Sequence, residues 1–300
     1  MISICIPIYN FDVRPLVNDL TKQIQFIFEH EIEIILIDDA SNPKFRTINS
    51  SLDYLHQYIQ LDKNIGRAKI RNLFLNYASQ PYLLFLDCDS SVAENPNFIK
   101  NYIHHIQTQK PLITYGGRIY PENSPTKTQT LSWKYGKLIE SKPAHIRALN
   151  PNKSFQTNNF IIHRSLFKTI RFDESIKNYG HEDTLFGIEI NQKNIEIKHL
   201  ENPVLNHHIE DFNPYISKTN LAVENLAQLI LANKIKPEDY QHINLLKFYN
   251  IINRLKLDGL IYLILHKNET KLLQQLSSDN PNLKLFNLYK LLQFLKQKRA

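Results

Sequence analysis

The chain has 300 residues, 42% of them hydrophobic, enough to bury a full core and suited to one large domain or one domain with an appendage. No stretch approaches the roughly 18 uninterrupted apolar residues of a membrane span, and the N-terminus runs straight into Ile2-Ser-Ile-Cys-Ile-Pro-Ile without a basic leader, so the expectation is a cytoplasmic protein. The formal charge of +7 is uneven, residues 1–219 holding 24 Lys and Arg against 23 Asp and Glu while residues 220–300 hold 12 against 6, which marks a boundary and points the C-terminal segment at an acidic partner surface.

In chain order, a strand over 2–8 precedes a helical stretch around 13–28, then a strand over 33–37 ends in Asp38-Asp39. A helix over 45–58 follows, another runs from Gly66 to about Ala78, and a strand covers 82–86. Alternation at these lengths means βαβ units and a parallel sheet with right-handed crossovers. Cys5 and Cys88 lie inside the apolar runs and read as small buried hydrophobes in a reducing compartment. Residues 120–152, rich in Pro, Ser, Thr and Lys around the lone Trp133, have no clear period and read as a long loop, of a kind that is usually a functional lid or disordered. After a mixed segment over 155–162, residues 178–184 look like a loop delivering two acids to a helix that starts at Thr184. Beyond 203–208 the pattern is helical to the end, with breaks at Pro237 and Pro281.

The apolar run Tyr82-Leu-Leu-Phe-Leu stops at two carboxylates, Asp87 and Asp89, spaced one residue apart. Such a run reads as a strand covered on both faces, and open parallel sheets bind ligands beyond the carboxyl ends of these strands. Two carboxylates pointing the same way suit Mg²⁺ or Mn²⁺ carrying phosphate oxygens; the plain alternative is a solvated turn. Tyr9-Asn10 and Asp38-Asp39 end two further strands, and the convergence describes a nucleotide site at one edge of the sheet.

Together with these runs, Ile4-Cys-Ile-Pro-Ile-Tyr-Asn, Ile34-Ile-Leu-Ile-Asp-Asp-Ala-Ser, Asn64-Ile-Gly-Arg-Ala-Lys-Ile-Arg-Asn, Leu84-Phe-Leu-Asp-Cys-Asp and His181-Glu-Asp-Thr-Leu-Phe-Gly resemble, in order and spacing, the inverting family 2 glycosyltransferases of bacterial polysaccharide and lipopolysaccharide type. The resemblance implies a GT-A fold, an α/β Rossmann-like mixed sheet flanked by helices, over residues 1–215, with a helical, basic C-terminal extension over 216–300. It also implies a nucleotide-sugar donor, a Mn²⁺ or Mg²⁺ ion and a single-displacement transfer.

On that reading Pro7 and Tyr9 close the first strand and offer an aromatic face to a base, and Asp38 and Asp39 accept from uracil and ribose. Arg67 and Arg71, four apart on one helix face, meet base or phosphate, Arg71 more firmly by resemblance. Asp87 tends toward the ribose or a metal-bound water while Asp89 holds the metal, completed by His207 or His208. Adjacent side chains in a strand face opposite ways, so at most one of that pair reaches the ion readily. Asp183 is the general base by resemblance and Glu182 grips the acceptor sugar. Each motif alone has a structural alternative: a sheet-edge Tyr, a strand-ending turn, a solvated Arg face, two surface histidines, or an acidic pair favouring a helix dipole.

The donor expected is a UDP-hexose or UDP-N-acetylhexosamine, and the acceptor a glycan or lipid-linked glycan at the inner face of the cytoplasmic membrane. No nucleic acid is expected as partner. Residues 283–299, with Lys284, Lys290, Lys296, Lys298 and Arg299 and no acid, predict peripheral contact with an anionic membrane through Leu283, Phe286, Leu291, Phe294 and Leu295, the alternative being a helix packed on the domain. Two rival functions are a non-catalytic nucleotide-sugar-binding or scaffold subunit and a nucleotidyltransferase. The second is disfavoured because a Gly-rich basic loop for a triphosphate is missing.

Overall fold

The computed structural model describes every residue except 26, 28–31, 53–56, 124–125, 177–178 and 300. Two compact units emerge, one from Met1–Pro121, Ser141–Lys177 and Glu189–His208, the other from Glu122–Glu140, Asn178–Ile188 and Ile209–Ala300. This division differs from a single cut near residue 215, because two internal segments join the C-terminal residues.

Among the described residues the first unit holds ten strands: β1 (Ile2–Ile8), β2 (Ile32–Asp38), β3 (Gln57–Gln60), β4 (Tyr82–Leu86), β5 (Ser90–Ser91), β6 (Ile113–Tyr115), β7 (Arg118–Ile119), β8 (Asn159–His163), β9 (Lys198–His199) and β10 (Val204–Asn206). Seven make the main sheet in the order β3-β2-β1-β4-β8-β6-β9. The β3-β2-β1-β4 half is parallel, as the apolar runs predict, whereas β8 runs antiparallel to both β4 and β6. The sheet is therefore mixed, with its continuous hydrophobic strands at the centre, where helices cover both faces.

Along β1 the residues Ile2, Ile4, Ile6 and Ile8 all enter one core, packed against Leu16, Val17 and Leu20 of the helix Arg14–Ile24 and against Phe98, Tyr102 and Ile106 of the helix Phe98–Gln109. Cys5, between them, is buried on the other face, as strand alternation requires. Cys5 and Cys88 are both free thiols.

Three readings of the sequence need correction. Of the helix expected over 45–58, residues 53–56 lie outside the described residues; the rest is helical over Pro43–Asn49, and Gln57–Gln60 is the edge strand β3. Its four residues, Gln-Tyr-Ile-Gln, are too few and too polar to signal a buried strand. Residues 120–152 are not a bare loop: they contain the helix Thr130–Tyr135, a π-helical turn over Gly136–Glu140 and the helix Ala144–Arg147. Turns of four to six residues lie below the length at which an apolar period can be read. Finally, the helix expected to start at Thr184 starts at Glu182, so both acids occupy its first turn, where the helix dipole favours them. The ends of the 13–28 stretch and of the 178–184 loop reach outside the described residues.

A second sheet of three short strands, β5-β10-β7, was not legible in the sequence. Asn206 lies antiparallel opposite Ser90, and Val204 lies parallel beside Arg118. It therefore gathers the chain just after Asp89, just before His207 and at Arg118.

The second unit is helical, with Phe212–Leu231, Asn244–Arg254, Asp258–Lys267, Glu269–Leu276 and Leu283–Gln297 as its main helices. The last of these is its centre. Phe286, Tyr289, Leu291, Leu292, Phe294 and Leu295 are buried, against Leu131 and Leu276 on one side and Ile252, Leu265 and Leu272 on the other. Phe286, Leu291, Phe294 and Leu295, expected to face a bilayer, thus pack inside the unit. Among the described residues no helix is long and apolar enough to cross a membrane.

Candidate active site

At the carboxyl end of β2 the two acids are held by the fold itself. Asp38 is fully buried; its Oδ1 accepts from Ser41 N at 2.7 Å, its Oδ2 accepts from the Tyr58 hydroxyl at 3.2 Å, and Arg46 Nε lies 3.5 Å away. Asp39 accepts from Ile65 N at 2.7 Å and Gly66 N at 3.1 Å, so its carboxylate shapes the turn that opens the helix Arg67–Leu73. Gly66 sits at φ +84, which a side chain would strain. Pro7 is paired with Ile37 near the end of β1, and Tyr9 just beyond is 55% exposed.

Arg67 and Arg71 do not share one environment as expected, Arg67 being exposed and Arg71 buried. The reason is an ion pair: Arg71 Nη2 donates to Asp87 Oδ1 at 2.9 Å, Nη1 donates to the Arg67 carbonyl at 3.3 Å, and the guanidinium lies 5.7 Å from the Phe172 ring centre. Arg71 thereby fixes the first acid of the Asp-Cys-Asp turn. The turn is also pinned by its backbone, with Asp87 N donating to the Asn158 carbonyl at 3.1 Å. Cys88 packs against the core below β1, and burial pushes its thiol well up, so it is no thiolate ligand.

Asp89 stands in a different field. Burial and the neighbouring Asp87 push its carboxyl up, while the charges of Arg118 and His208 pull it down. The small sheet explains this meeting, because β10 returning beside β5 brings His207 and His208 back along the Asp-Cys-Asp turn and β7 brings Arg118. His208 acts on Asp89 and is exposed, with its backbone N–H fixed on Asn206 Oδ1 at 3.0 Å. Arg118 is the functional candidate that the sequence reading missed. Its one signal is Gly116-Gly117 just before it, in a chain with only 7 glycines. A Cβ on Gly116 would stand 2.2 Å from the Tyr102 hydroxyl, and Gly117 has φ +96 with the Arg147 guanidinium against it.

Among the described residues, no three His, Cys, Asp or Glu side chains are grouped to hold a metal alone. The donor set still fits a hard divalent ion, since burial and Asp87 together push the Asp89 carboxyl up despite Arg118 and His208, and Mg²⁺-type sites commonly take one or two carboxylates and complete their sphere from phosphates and water. Asp89 is the residue such an ion would relieve most, with His208 beside it.

Glu182 and Asp183 belong to the second unit. Asp183 Oδ1 accepts from Thr184 N at 2.7 Å, and His181, at φ +69, places its Nδ1 3.3 Å from Thr184 Oγ1. Gly180, at φ +95, has no room for a side chain because Ala222 would be 2.7 Å from its Cβ, and the Asn225 amide donates to its carbonyl. Glu182 is buried and Asp183 half-buried. Burial pulls His181 down to about 4, against Glu182 and with Lys290. Tyr135 is pushed up by burial and by the charges of Glu140 and Asp183. Asp183 therefore has an aromatic hydroxyl near it, within a cluster that also contains Lys290.

The family model described as Glycosyl transferase family 2 matches residues 3–171, more than half of the chain, and the chain belongs to that family. It is a glycosyltransferase whose fold is GT-A, with helices at its C-terminus. The chain is 26% identical over 203 residues to an uncharacterized glycosyltransferase of Haemophilus influenzae, covering 63% of this chain and 71% of that one. It is 25% identical over 238 residues to a chondroitin synthase of Escherichia coli, covering 69% of this chain but only 34% of that protein. Among solved structures, a mannosyltransferase from Pyrobaculum calidifontis in complex with GDP-Man and Mn²⁺ superposes with a TM-score of 0.57 at 12% identity, over 99% of this chain and 85% of that one. A glucosyl-3-phosphoglycerate synthase from Mycobacterium tuberculosis, in complex with Mn²⁺, UDP and glucosyl-3-phosphoglycerate, gives 0.51 at 12% identity, over 76% and 79%.

Proposed function

We propose that the protein is a metal-dependent, inverting glycosyltransferase that moves a sugar from a UDP-sugar to a hydroxyl of a glycan or lipid-linked glycan in cell-surface polysaccharide synthesis at the inner face of the cytoplasmic membrane. The observation that carries the donor side is the Asp-Cys-Asp turn, where Arg71 fixes Asp87 while Arg118 and His208 act on Asp89. Glycosyltransferases of similar fold hold nucleotides with Mn²⁺, which supports a metal here.

Asp89 and His208 would hold the Mn²⁺ or Mg²⁺ ion, with Asp87 reaching the ribose or a bound water. An ion held there would supply charge neutralisation for the leaving diphosphate, in place of a separate acid. Tyr9 offers a face for the base, Asp39 and Arg67 frame the nucleotide, and Arg71 keeps Asp87 in place. Asp183 takes the proton of the acceptor hydroxyl as its oxygen bonds to the anomeric carbon and the bond from that carbon to the diphosphate oxygen breaks. Glu182 orients the acceptor sugar, and residues 216–300 form the appended helical portion.

Calorimetric titration with UDP, GDP and CMP sugars, with and without Mn²⁺, tests this reading. A UDP-sugar should bind only with the ion, and Asp89→Ala should abolish that binding while leaving the circular dichroism spectrum intact. Unchanged affinity and unchanged Mn²⁺ dependence in Asp89→Ala would remove the metal site, and a preference for GDP or CMP sugars would overturn the donor.

A further inference from the structure

The helices Asn244–Arg254 and Asp258–Lys267 each lay one side on the helix Leu283–Gln297. Ile252 and Leu265 are buried with Leu291, Leu292 and Leu295, and Tyr249 and Ile261 close around them. Their other sides are uncovered among the described residues. Phe248, Ile251 and Leu255, at spacings of three and four, and Leu260, Leu263 and Ile264, at spacings of three and one, are between 44% and 64% exposed. Single exposed aliphatic side chains are ordinary, but six on two consecutive helices form the kind of patch that marks an interaction surface. Both helices back onto one helix through the same cluster of Leu291, Leu292 and Leu295, and these exposed apolar residues lie outside that cluster.

Along 244–267 cations outnumber acids. Lys247, Arg254, Lys256 and Lys267 are exposed, and the sole acid within 244–267, Asp258, is matched by Arg299 at 3.4 Å. We propose that this two-helix face docks the protein on an anionic lipid bilayer, with the leucines and isoleucines entering the boundary between headgroups and acyl chains and the cations meeting the headgroups. An apolar stripe with Lys and Arg at its margins is what interfacial helices use, and each cation near an anionic surface adds to the attraction. A second copy of this chain is the poorer occupant. A twofold interface would set the face against itself, placing four cations opposite four cations with no free acid between them. The docking site rests on the reading of a lipid-linked acceptor for its purpose, though its physics does not depend on it.

The test is flotation of the full chain with vesicles of phosphatidylcholine alone and of phosphatidylcholine mixed with phosphatidylglycerol. The protein should float with the anionic vesicles only, and less as salt is raised. The double change Leu263→Glu and Ile264→Glu should weaken partitioning by at least about tenfold. Arg254→Gln with Lys256→Gln should weaken it less and flatten its salt dependence, whereas Lys284→Gln, outside this face, should leave it unchanged. Equal flotation of the wild type and the Leu263, Ile264 variant, or no flotation at all, would overturn the proposal. So would a dimer in ultracentrifugation that this variant dissociates, since the occupant would then be a second copy. UDP-sugar titration of the same variants stays at wild-type affinity if the donor reading holds, so failure of that reading is seen separately from failure of docking.

Discussion

Asp183 enters the helix Glu182–Gln192 with its carboxylate turned to its own backbone, Oδ1 accepting from Thr184 N at 2.7 Å. Asparagine can keep that bond through its carbonyl oxygen, so Asp183→Asn removes the basic charge with little disturbance of the helix start. Turnover should fall by roughly 10² to 10⁴, as expected for a lost general base, with donor affinity nearly unchanged in titration. A variant keeping most of its rate would move the base elsewhere. Lys290 offers a second measurement at this scale. Its ammonium lies 4.8 Å from the Tyr135 ring centre and 4.7 Å from that of Phe286, and burial draws it down to about 8 with Glu140 opposing. The unfolded chain holds this proton up to about 10.4, so between these values it binds more protons than the folded state and stability rises with pH. Below about 8 the whole cost of burying the charge is present. Lys290→Met should therefore melt at the same temperature or a few degrees higher at pH 7, and its stability should rise less between pH 8 and 10. A lower melting point at pH 7 would mean that the ring contacts outweigh the burial. Asp87 and Asp89 could be singled out from the sequence because they end an apolar run beyond which parallel sheets bind ligands, and Asp183 only because its motif resembles that of the family, since alone it also suits a helix start. Arg118 could not, because only the pairing of β7 with β10 carries it to Asp89.

At the scale of elements, what could be read followed the length of the apolar runs. β1, β2 and β4 are five to seven residues of nearly unbroken hydrophobic sequence, and each is buried throughout its central part. The two-residue strands β5, β7 and β9 have no period to detect, and their existence depends on partners far along the chain. The segment 120–152 failed for a related reason, since its order comes from single side chains rather than a pattern. Arg147 is the clearest of these. It is 2% exposed, its Nη2 donates to the carbonyls of Leu200 at 2.7 Å and Gly116 at 3.2 Å, its Nη1 to that of Lys142 at 2.6 Å, and its Nε to His199 Nδ1 at 3.2 Å. One guanidinium so ties the end of the segment to β6, β9 and the Gly116-Gly117 turn that precedes Arg118. Arg147→Met would remove four bonds from a charged donor, and although Asn202 N still reaches the Gly116 and Leu200 carbonyls, the Lys142 carbonyl and His199 Nδ1 lose this partner; with such bonds worth about 1.5–3 kcal/mol each, the urea midpoint should report a loss of at least about 3 kcal/mol. Arg147→Lys should not restore it, because an ammonium cannot span acceptors arranged for a planar fork. Rescue by lysine would show that charge, not shape, holds the turn.

For the molecule as a whole, the excess of cations after residue 220 suggested a tail leaning on something acidic, and the shift in composition near there did mark a helical segment. What composition could not tell was which side of each helix faces inward. In Leu283–Gln297 apolar residues occupy nearly every turn on more than one side, as in a helix surrounded by others rather than one lying on a surface. Removing it is therefore a structural change before it is a change of binding. In a chain ending at residue 280, Leu131, Ile252, Leu265, Leu272 and Leu276 remain but lose their cover. Each such side chain returned to water costs about 1.5–3 kcal/mol, roughly 7–15 kcal/mol together, which is the size of the whole margin of about 5–15 kcal/mol by which domains stay folded. The shortened chain should lose more helical circular dichroism than one fifteen-residue helix accounts for, and its second unit should melt without a cooperative transition. A cooperative melt within a few degrees of the full chain would contradict the central place given to this helix. The exposed cations can then be tested only by point substitutions, because truncation removes the core of the unit along with its charge.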